Sequence, residues 1–228
     1  MSERVFDRVP SIPDRRRQVE FNLADAITGL TPRSYTWSVG RVLDQQAQGA
    51  CVAHGWAHEA LARPAVVQFP QPVPEADERL DAQPWAFAFY NWLRRNDEWP
   101  GEDYEGTSVA AGARGMAKLG LIPEYRWSQN ADDVAVAVSR TGPAVIGVGW
   151  YTGMMAPDRF GYLHPTGRNV GGHCVLLNGY NLKRRAFRLR NSWGTSWGDD
   201  GEAWLLKDDL GRLLGDGGEV CVPVRRKR

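Results

Sequence analysis

One cysteine, one histidine and one asparagine, far apart in this chain, have the types and local settings needed to activate a thiol. Cys51 follows a Gly-Ala pair and heads an Ala-rich run in "DQQAQGACVAHGWAHEA". His173 follows two glycines at the mouth of an apolar run, "GGHCVLLNGY", and Asn191 ends another in "RLRNSWGTSWGDDG". The thiolate is the nucleophile, and a helix N-terminus together with an imidazolium lowers a thiol pKa far enough to populate it near neutral pH. The imidazolium can then protonate a leaving amine, and a carboxamide on the second ring nitrogen fixes the tautomer. Trp193, two residues after Asn191, is suited to shield that bond from water. Cys51 has two other readings. Cysteine is often a small buried hydrophobe, and Cys51, His54 and His58 fall at i, i+3 and i+7, one face of a helix that a zinc ion could use. No second Cys or His pair nearby completes four ligands. We therefore expect no metal and no cofactor, with His54 and His58 in the core or at the edge of a cleft.

These residues need elements to hold them. The pattern is helical from Cys51 to about Leu61, in "PWAFAFYNWLRRND" with Pro84 in its first turn, in "TSVAAGARGMAKLG" with a Thr or Ser cap and Gly120 as terminator, and in "NADDVAVAVSR" from Asn130. From Gly142 onward it changes to strands: "PAVIGVGWY", "HCVLLNGYN", "AFRLRNSWG", "EAWLLK" and "EVCVPV", separated by Gly, Asn and Asp turns. Helices followed by strands predict an α+β chain of two segregated lobes, and a cleft between lobes is a natural ligand site. Two Pro-rich zones, the first forty residues and "ARPAVVQFPQPVPEADERLDAQP", read as surface connections.

Composition narrows the function classes. The formal net charge of +1 gives no global pull toward nucleic acid or an anionic membrane. The basic clusters "DRRR" and "RRKR" read as a surface turn and a solvated tail. No stretch approaches the ~20 apolar residues of a membrane helix, and "MSERVFDRVP" lacks the apolar core of a signal peptide. We expect a cytoplasmic protein that binds neither nucleic acid nor membrane. Its three cysteines suit a reducing compartment, with Cys174 and Cys221 as packed thiols.

The motifs resemble those of papain-like cysteine peptidases, in the divergent form found among bacterial and viral proteins. The matching residues are Gln45, Gly49, Ala50 and Cys51, then His173 in "GGHCVLLNGY", then Asn191, Ser192, Trp193, Gly194, Trp197, Gly198 and Gly201. "YEGTSVAAGARGMAKLG" resembles the segment that supplies one wall of the family's cleft. The resemblance implies a two-lobe fold, with a helical lobe at about 45–140 carrying the nucleophile and a strand-rich, barrel-like lobe at about 141–228. Together they make a peptidase domain over 37–228 behind an N-terminal arm, 1–36. It implies hydrolysis of a peptide or protein substrate through an acyl-thioester on Cys51, with His173 as base and then acid, oriented by Asn191. Gln45, six positions before the cysteine, would donate to the oxyanion; Gly106 and Trp193 would touch substrate, and Trp150 would narrow a specificity pocket. Three local departures stand out: Gln48 replaces a cysteine of the usual signature, Val52 replaces the aromatic that follows the nucleophile, and His54 is unusual. About forty residues precede the cysteine motif, too few for a long inhibitory pro-segment, so control would rest on the short arm, location or a partner. Two alternatives share the site: a transpeptidase of the same mechanism, and a binding or assembly module whose site His54 has spoiled.

Overall fold

The computed structural model describes residues 4–11, 22–64, 81–98 and 105–224. Both basic clusters and the middle of the second Pro-rich zone lie outside the described residues. The elements run α1 (Leu23–Ala26), β1 (Tyr35–Thr36), α2 (Cys51–Leu61), α3 (Ala82–Asn96), α4 (Val109–Lys118), β2 (Glu124–Ser128), α5 (Ala131–Arg140), β3 (Ala144–Tyr151), β4 (Asn169–Asn181), β5 (Ala186–Arg190), β6 (Glu202–Leu206), α6 (Lys207–Gly215) and β7 (Glu219–Val224). One antiparallel sheet runs β2-β7-β3-β4-β5-β6, with β1 pairing β4.

Alternation along the strands divides the interior into two cores, because successive side chains point to opposite faces. Val145, Cys174, Leu176 and Cys221 face α2, α3 and α4. Ile146, Val148, Trp150, Val175 and Leu177 face the other way, toward α5, α6 and the aromatic cluster around Trp193. Helix α2 is buried from Cys51 to Ala60, which its small and apolar residues permit on every side. Asp81, Ser108 and Asn130 cap α3, α4 and α5 through side-chain oxygens that accept backbone N–H groups.

The structure corrects two expectations. The first forty residues are more than a surface connection, since residues 4–11 lie in a groove and Arg8 is buried. Helix α6 interrupts the run of strands, and β2 joins the sheet from among the helices. Both are short elements whose partners are distant in sequence, so tertiary pairing decides them more than local pattern does.

The glycines of the helices separate close packing from open surface. A Cβ on Gly112 of α4 would stand 2.2 Å from the indole nitrogen of buried Trp56, whereas one on Gly211 of α6 would meet nothing within 4 Å. Gly112→Ala should therefore destabilise by about 1–3 kcal/mol through overpacking, and Gly211→Ala should stabilise by about 0.5–1 kcal/mol through helix propensity. Urea unfolding of both variants checks the pair. Equal effects would refute the packing assigned to α4.

Candidate active site

Helix α2 begins at Cys51, and its N-cap, Ala50, offers no side-chain acceptor to the first-turn N–H groups. The thiol therefore lies at the positive end of the helix macrodipole. Gly55, one turn on, faces the sheet so closely that a Cβ there would come within 3.0 Å of the Cys174 sulphur. The backbone N–H of Cys174 in turn donates toward the Cys51 sulphur. Because Cys174 follows His173, that contact brings the first turn of α2 to the stretch of β4 that carries the imidazole.

Asn191 lies just past β5 and beside His173 on β4. His173 Nε2 is 2.8 Å from Asn191 Oδ1, inside the protein. The Ser192 backbone N–H, which can only donate, also reaches Oδ1 at 2.8 Å and so fixes which end of the amide is oxygen. His173 must then carry its proton on Nε2, leaving Nδ1 as a lone pair with no partner among the described residues. Ser192 does the same for Gln45. Its hydroxyl donates to Gln45 Oε1 at 2.7 Å, and its carbonyl accepts the Gln45 N–H at 2.9 Å. The Gln45 amide nitrogen is thereby turned the other way, where it donates to the Gln48 carbonyl at 2.9 Å and to the Val5 carbonyl at 3.3 Å. Sequence reasoning saw Ser192 only as part of a motif; nothing in the string shows one serine orienting both amides.

The N-terminal arm covers all of this. It runs over glycines from each motif: added Cβ atoms on Gly49, Gly106 and Gly172 would stand 2.3 Å from Asp7 Oδ2, 1.7 Å from the Asp7 carbonyl and 2.1 Å from the Arg8 carbonyl. Gly106 also has φ +99°, a conformation side chains disfavour. Arg8 N–H donates to the Gly172 carbonyl and Val9 N–H to the Thr107 carbonyl, each at 3.0 Å. The Phe6 ring meets His173 at 5.8 Å and Trp193 at 5.7 Å, both edge on. Arg4 bonds the Asp44 carboxylate at 2.9 Å and the Trp193 carbonyl at 3.2 Å.

With the arm seated, Cys51, His173, Asn191 and Gln45 are all 0% exposed. Burial pushes the Cys51 thiol up to about 11, against the opposing pull of the Cys174 N–H and the Arg8 cation. It presses the His173 imidazole down to about 4, although the Asn191 bond favours the charged form. The covered pair is neutral, because a dry site penalises both charges.

The other expected residues fall as follows. Trp193 lies over the imidazole at 5.0 Å, tilted by 33°. Trp150 is fully buried behind His173, ring centroids 4.7 Å apart, so it backs the imidazole. His54 places Nδ1 2.8 Å from the Ala50 carbonyl and Nε2 3.3 Å from Gln83, with Phe87 against its ring, so it packs on α3 and away from the thiol. His58 Nε2 accepts the Leu43 N–H at 3.1 Å. His164 is exposed beside Asp158. Among the described residues, no group of three His, Cys, Asp or Glu side chains stands where it could hold a metal.

Three buried histidines make folding sensitive to acid. Burial holds His54 at about 4, His173 at about 4 and His58 well below its ordinary range, the last also repelled by Arg190. Below about pH 6.5 the unfolded chain takes up protons that the folded one refuses, so stability falls as pH falls. Each group adds a slope of up to about 1.4 kcal/mol per pH unit. The thermal midpoint, followed by circular dichroism, should drop between pH 6.5 and 5, before most carboxylates titrate. A flat profile there would contradict neutral burial of these rings.

Comparison with known proteins agrees with this geometry. The family pattern described as "Papain family cysteine protease" matches residues 94–212, more than half of the chain, a span that includes His173 and Asn191 and begins after Cys51. Cathepsin B of Dictyostelium discoideum is 40% identical over 52 residues, which are 22% of this chain and 17% of that protein. Cathepsin B-like CP3 of Giardia intestinalis is 26% identical over 202 residues, 76% of this chain and 66% of that protein. The chain thus spans less than two thirds of the length of these curated relatives. The crystal structure of xylellain, a cysteine protease from Xylella fastidiosa, shares the fold with TM-score 0.72 at 18% identity, over 99% of this chain and 98% of that one. Through the family match, carried over more than half its length, the chain belongs to the papain family of cysteine proteases.

Proposed function

We propose that this chain hydrolyses peptide bonds in peptides or proteins through an acyl-thioester on Cys51, in a reducing, cytoplasmic setting that suits its three free thiols. The observation that carries the reading is the bare Nδ1 of His173, its tautomer fixed by Asn191, on the residue next to Cys174, whose N–H reaches the Cys51 sulphur at a helix N-terminus. A module with a spoiled site would need His54 to interfere, and His54 packs on α3.

The steps follow from what each atom can give. When a substrate replaces the arm, His173 Nδ1 takes the Cys51 proton and the sulphur attacks the carbonyl carbon. The oxygen gathers negative charge facing the Gln45 Nε2–H and the Cys51 N–H, donors held in advance and needing little reorganisation. The imidazolium returns its proton to the leaving nitrogen, the C–N bond breaks and the acyl group stays on sulphur. Water, deprotonated by the same Nδ1, then attacks the thioester, and the thiol is restored. Asn191 acts by holding the ring, and Ser192 by holding both amides.

Activity on a fluorogenic peptide tests the assignment. Cys51→Ala and His173→Ala should abolish turnover, and Gln45→Ala should lower kcat about 100-fold, one oxyanion donor being worth about 3 kcal/mol. Ser192→Ala, which keeps the backbone contacts but frees the Gln45 amide, should lower kcat more than tenfold with KM nearly unchanged. Unaltered kcat in that variant would remove Ser192 from the machinery, and turnover by Cys51→Ala would overturn the nucleophile.

The seated arm gives a second test. In the full chain Cys51 should resist iodoacetamide at pH 6, and Phe6→Ala should speed its modification at least tenfold as the ring leaves His173. Equal rates, measured by peptide mass mapping, would show that the arm does not control access.

A further inference from the structure

A carboxamide at the start of α3 makes contacts that packing alone does not require. Gln83 Oε1 accepts the Asp44 backbone N–H at 2.9 Å, and Gln83 Nε2 donates to the Asp44 carbonyl at 2.7 Å. The second hydrogen of that Nε2 goes to His54 Nε2, 3.3 Å away. A backbone N–H can only donate and a carbonyl can only accept, so Asp44 alone fixes which end of the amide is oxygen. His54 is fixed in the same way. Its Nδ1 lies 2.8 Å from the Ala50 carbonyl and must carry the proton, which leaves Nε2 as the lone pair that accepts from Gln83. Burial keeps the ring in this neutral form, holding its pKa at about 4.

This run of bonds ends on two peptide units of the oxyanion site. A peptide unit is planar, so holding its carbonyl sets the direction of its N–H. The Ala50 carbonyl belongs to the unit whose N–H is that of Cys51. The Asp44 carbonyl belongs to the unit whose N–H is that of Gln45, and the Ser192 carbonyl accepts that N–H at 2.9 Å. The second unit is therefore clamped from both sides, by α3 through its oxygen and by the strand-rich half through its nitrogen. The loop needs such holding, because the next residue, Gln46, has φ +56°, a conformation that costs a non-glycine residue free energy. The Asp44 carboxylate steadies that turn by accepting the Gln46 N–H at 2.8 Å.

We propose that Gln83 and His54 are positioning residues for the oxyanion site, a relay that sets the aim of the Gln45 and Cys51 donors relative to each other without touching substrate. The proposal rests on the peptidase reading above and adds two residues that act through the loop and the first turn of α2. An apolar side chain at position 54 would fill the same space and leave the Ala50 carbonyl without its second donor.

The test uses the full chain carrying Phe6→Ala, so that the arm competes less with substrate, and reads kcat and KM on a fluorogenic peptide. Gln83→Met keeps the volume and removes all three bonds; it should lower kcat at least tenfold with KM within twofold, part of the roughly 100-fold that one oxyanion donor is worth. His54→Phe should lower kcat at least fivefold, and His54→Asn, whose amide can still donate to the Ala50 carbonyl, should recover half of that or more. In a Gln45→Ala background the cost of Gln83→Met should shrink at least threefold, because residues that act through one group are not additive. Where Gln83→Met does not fold, Gln83→Glu keeps the acceptor for the Asp44 N–H, loses both donated bonds and is read in the same way. Unaltered kcat, or equal costs with and without Gln45, would overturn the relay while leaving the peptidase reading intact. If the parent chain cleaves no peptide, hydrolysis falls, and a peptide aldehyde is titrated against the matching alcohol. The aldehyde oxygen enters the oxyanion site when the Cys51 sulphur adds to its carbonyl carbon. A tenfold loss of aldehyde affinity in Gln83→Met, with alcohol binding unchanged, would uphold the relay. An equal change for both ligands, or an aldehyde that the parent binds no better than the alcohol, would sink it.

Discussion

A helix can rest directly on a strand only where it presents no side chain, and α2 does so at Gly55, against the sulphur of Cys174 on β4. The close approach lets the Cys174 N–H reach the Cys51 sulphur, and it fixes how far the first turn of α2 lies from His173. Overpacked interfaces relax by shifting backbone, and here such a shift would move the first turn of α2 away from the Cys174 N–H. The rest of the site is built onto that contact. Asn191 and Ser192 come from the end of β5, paired with β4, and Gln45 is tied back to Ser192 through both backbone and side chain. Helical and strand-rich halves thus meet at one serine and one glycine.

Covering the site changes its chemistry without moving its atoms. In a dry environment the neutral thiol and neutral imidazole are favoured: burial raises the Cys51 thiol and lowers the His173 imidazole. Access of water or of a polar substrate removes the desolvation that dominates both shifts. The helix N-terminus, the Cys174 N–H and the Asn191 bond remain, and all three favour the charged pair. An arm that excludes solvent therefore favours the neutral pair as well as covering the thiol.

Much of this was legible in the string. Cys51 on a helix N-terminus, His173 on a strand, Asn191 just beyond the next, and most helix bounds follow from capping residues and periodicity, which are local signals. Gln45 could be singled out only through the family resemblance, which gives meaning to its place six residues before the cysteine. What was hidden needs distant partners. Trp150 reads as pocket wall from its neighbours, but the alternation of β3 turns it behind His173. His54 looks close to Cys51 in sequence, yet Gln83 and Phe87 of α3 take its Nε2 and its ring, and its Nδ1 lies against the Ala50 carbonyl. The arm is the clearest case. "RVFDRVP" has no strong local preference, and its position depends on glycines from three separate motifs whose shared purpose, a track without side chains, appears only when they are brought together.

The energetics of the arm explain how a covered site can still be opened. A buried ion pair such as Arg8–Glu219 recovers in Coulomb attraction roughly what it loses in desolvation, so its net contribution to holding the arm is small. The two ladder hydrogen bonds add about 1 kcal/mol each at most after exchange with water. The Phe6 contacts with His173 and Trp193 supply the main apolar anchor. Seating is therefore favourable by only a few kcal/mol, within reach of a ligand that makes the same ladder contacts. The pair does more for register than for affinity: Arg8 reaches Glu219 only when Val5 lies at Gln45 and Phe6 at His173. A one-residue slip would turn Arg8 outward and leave the acid buried alone, and that penalty keeps the arm aligned along the cleft.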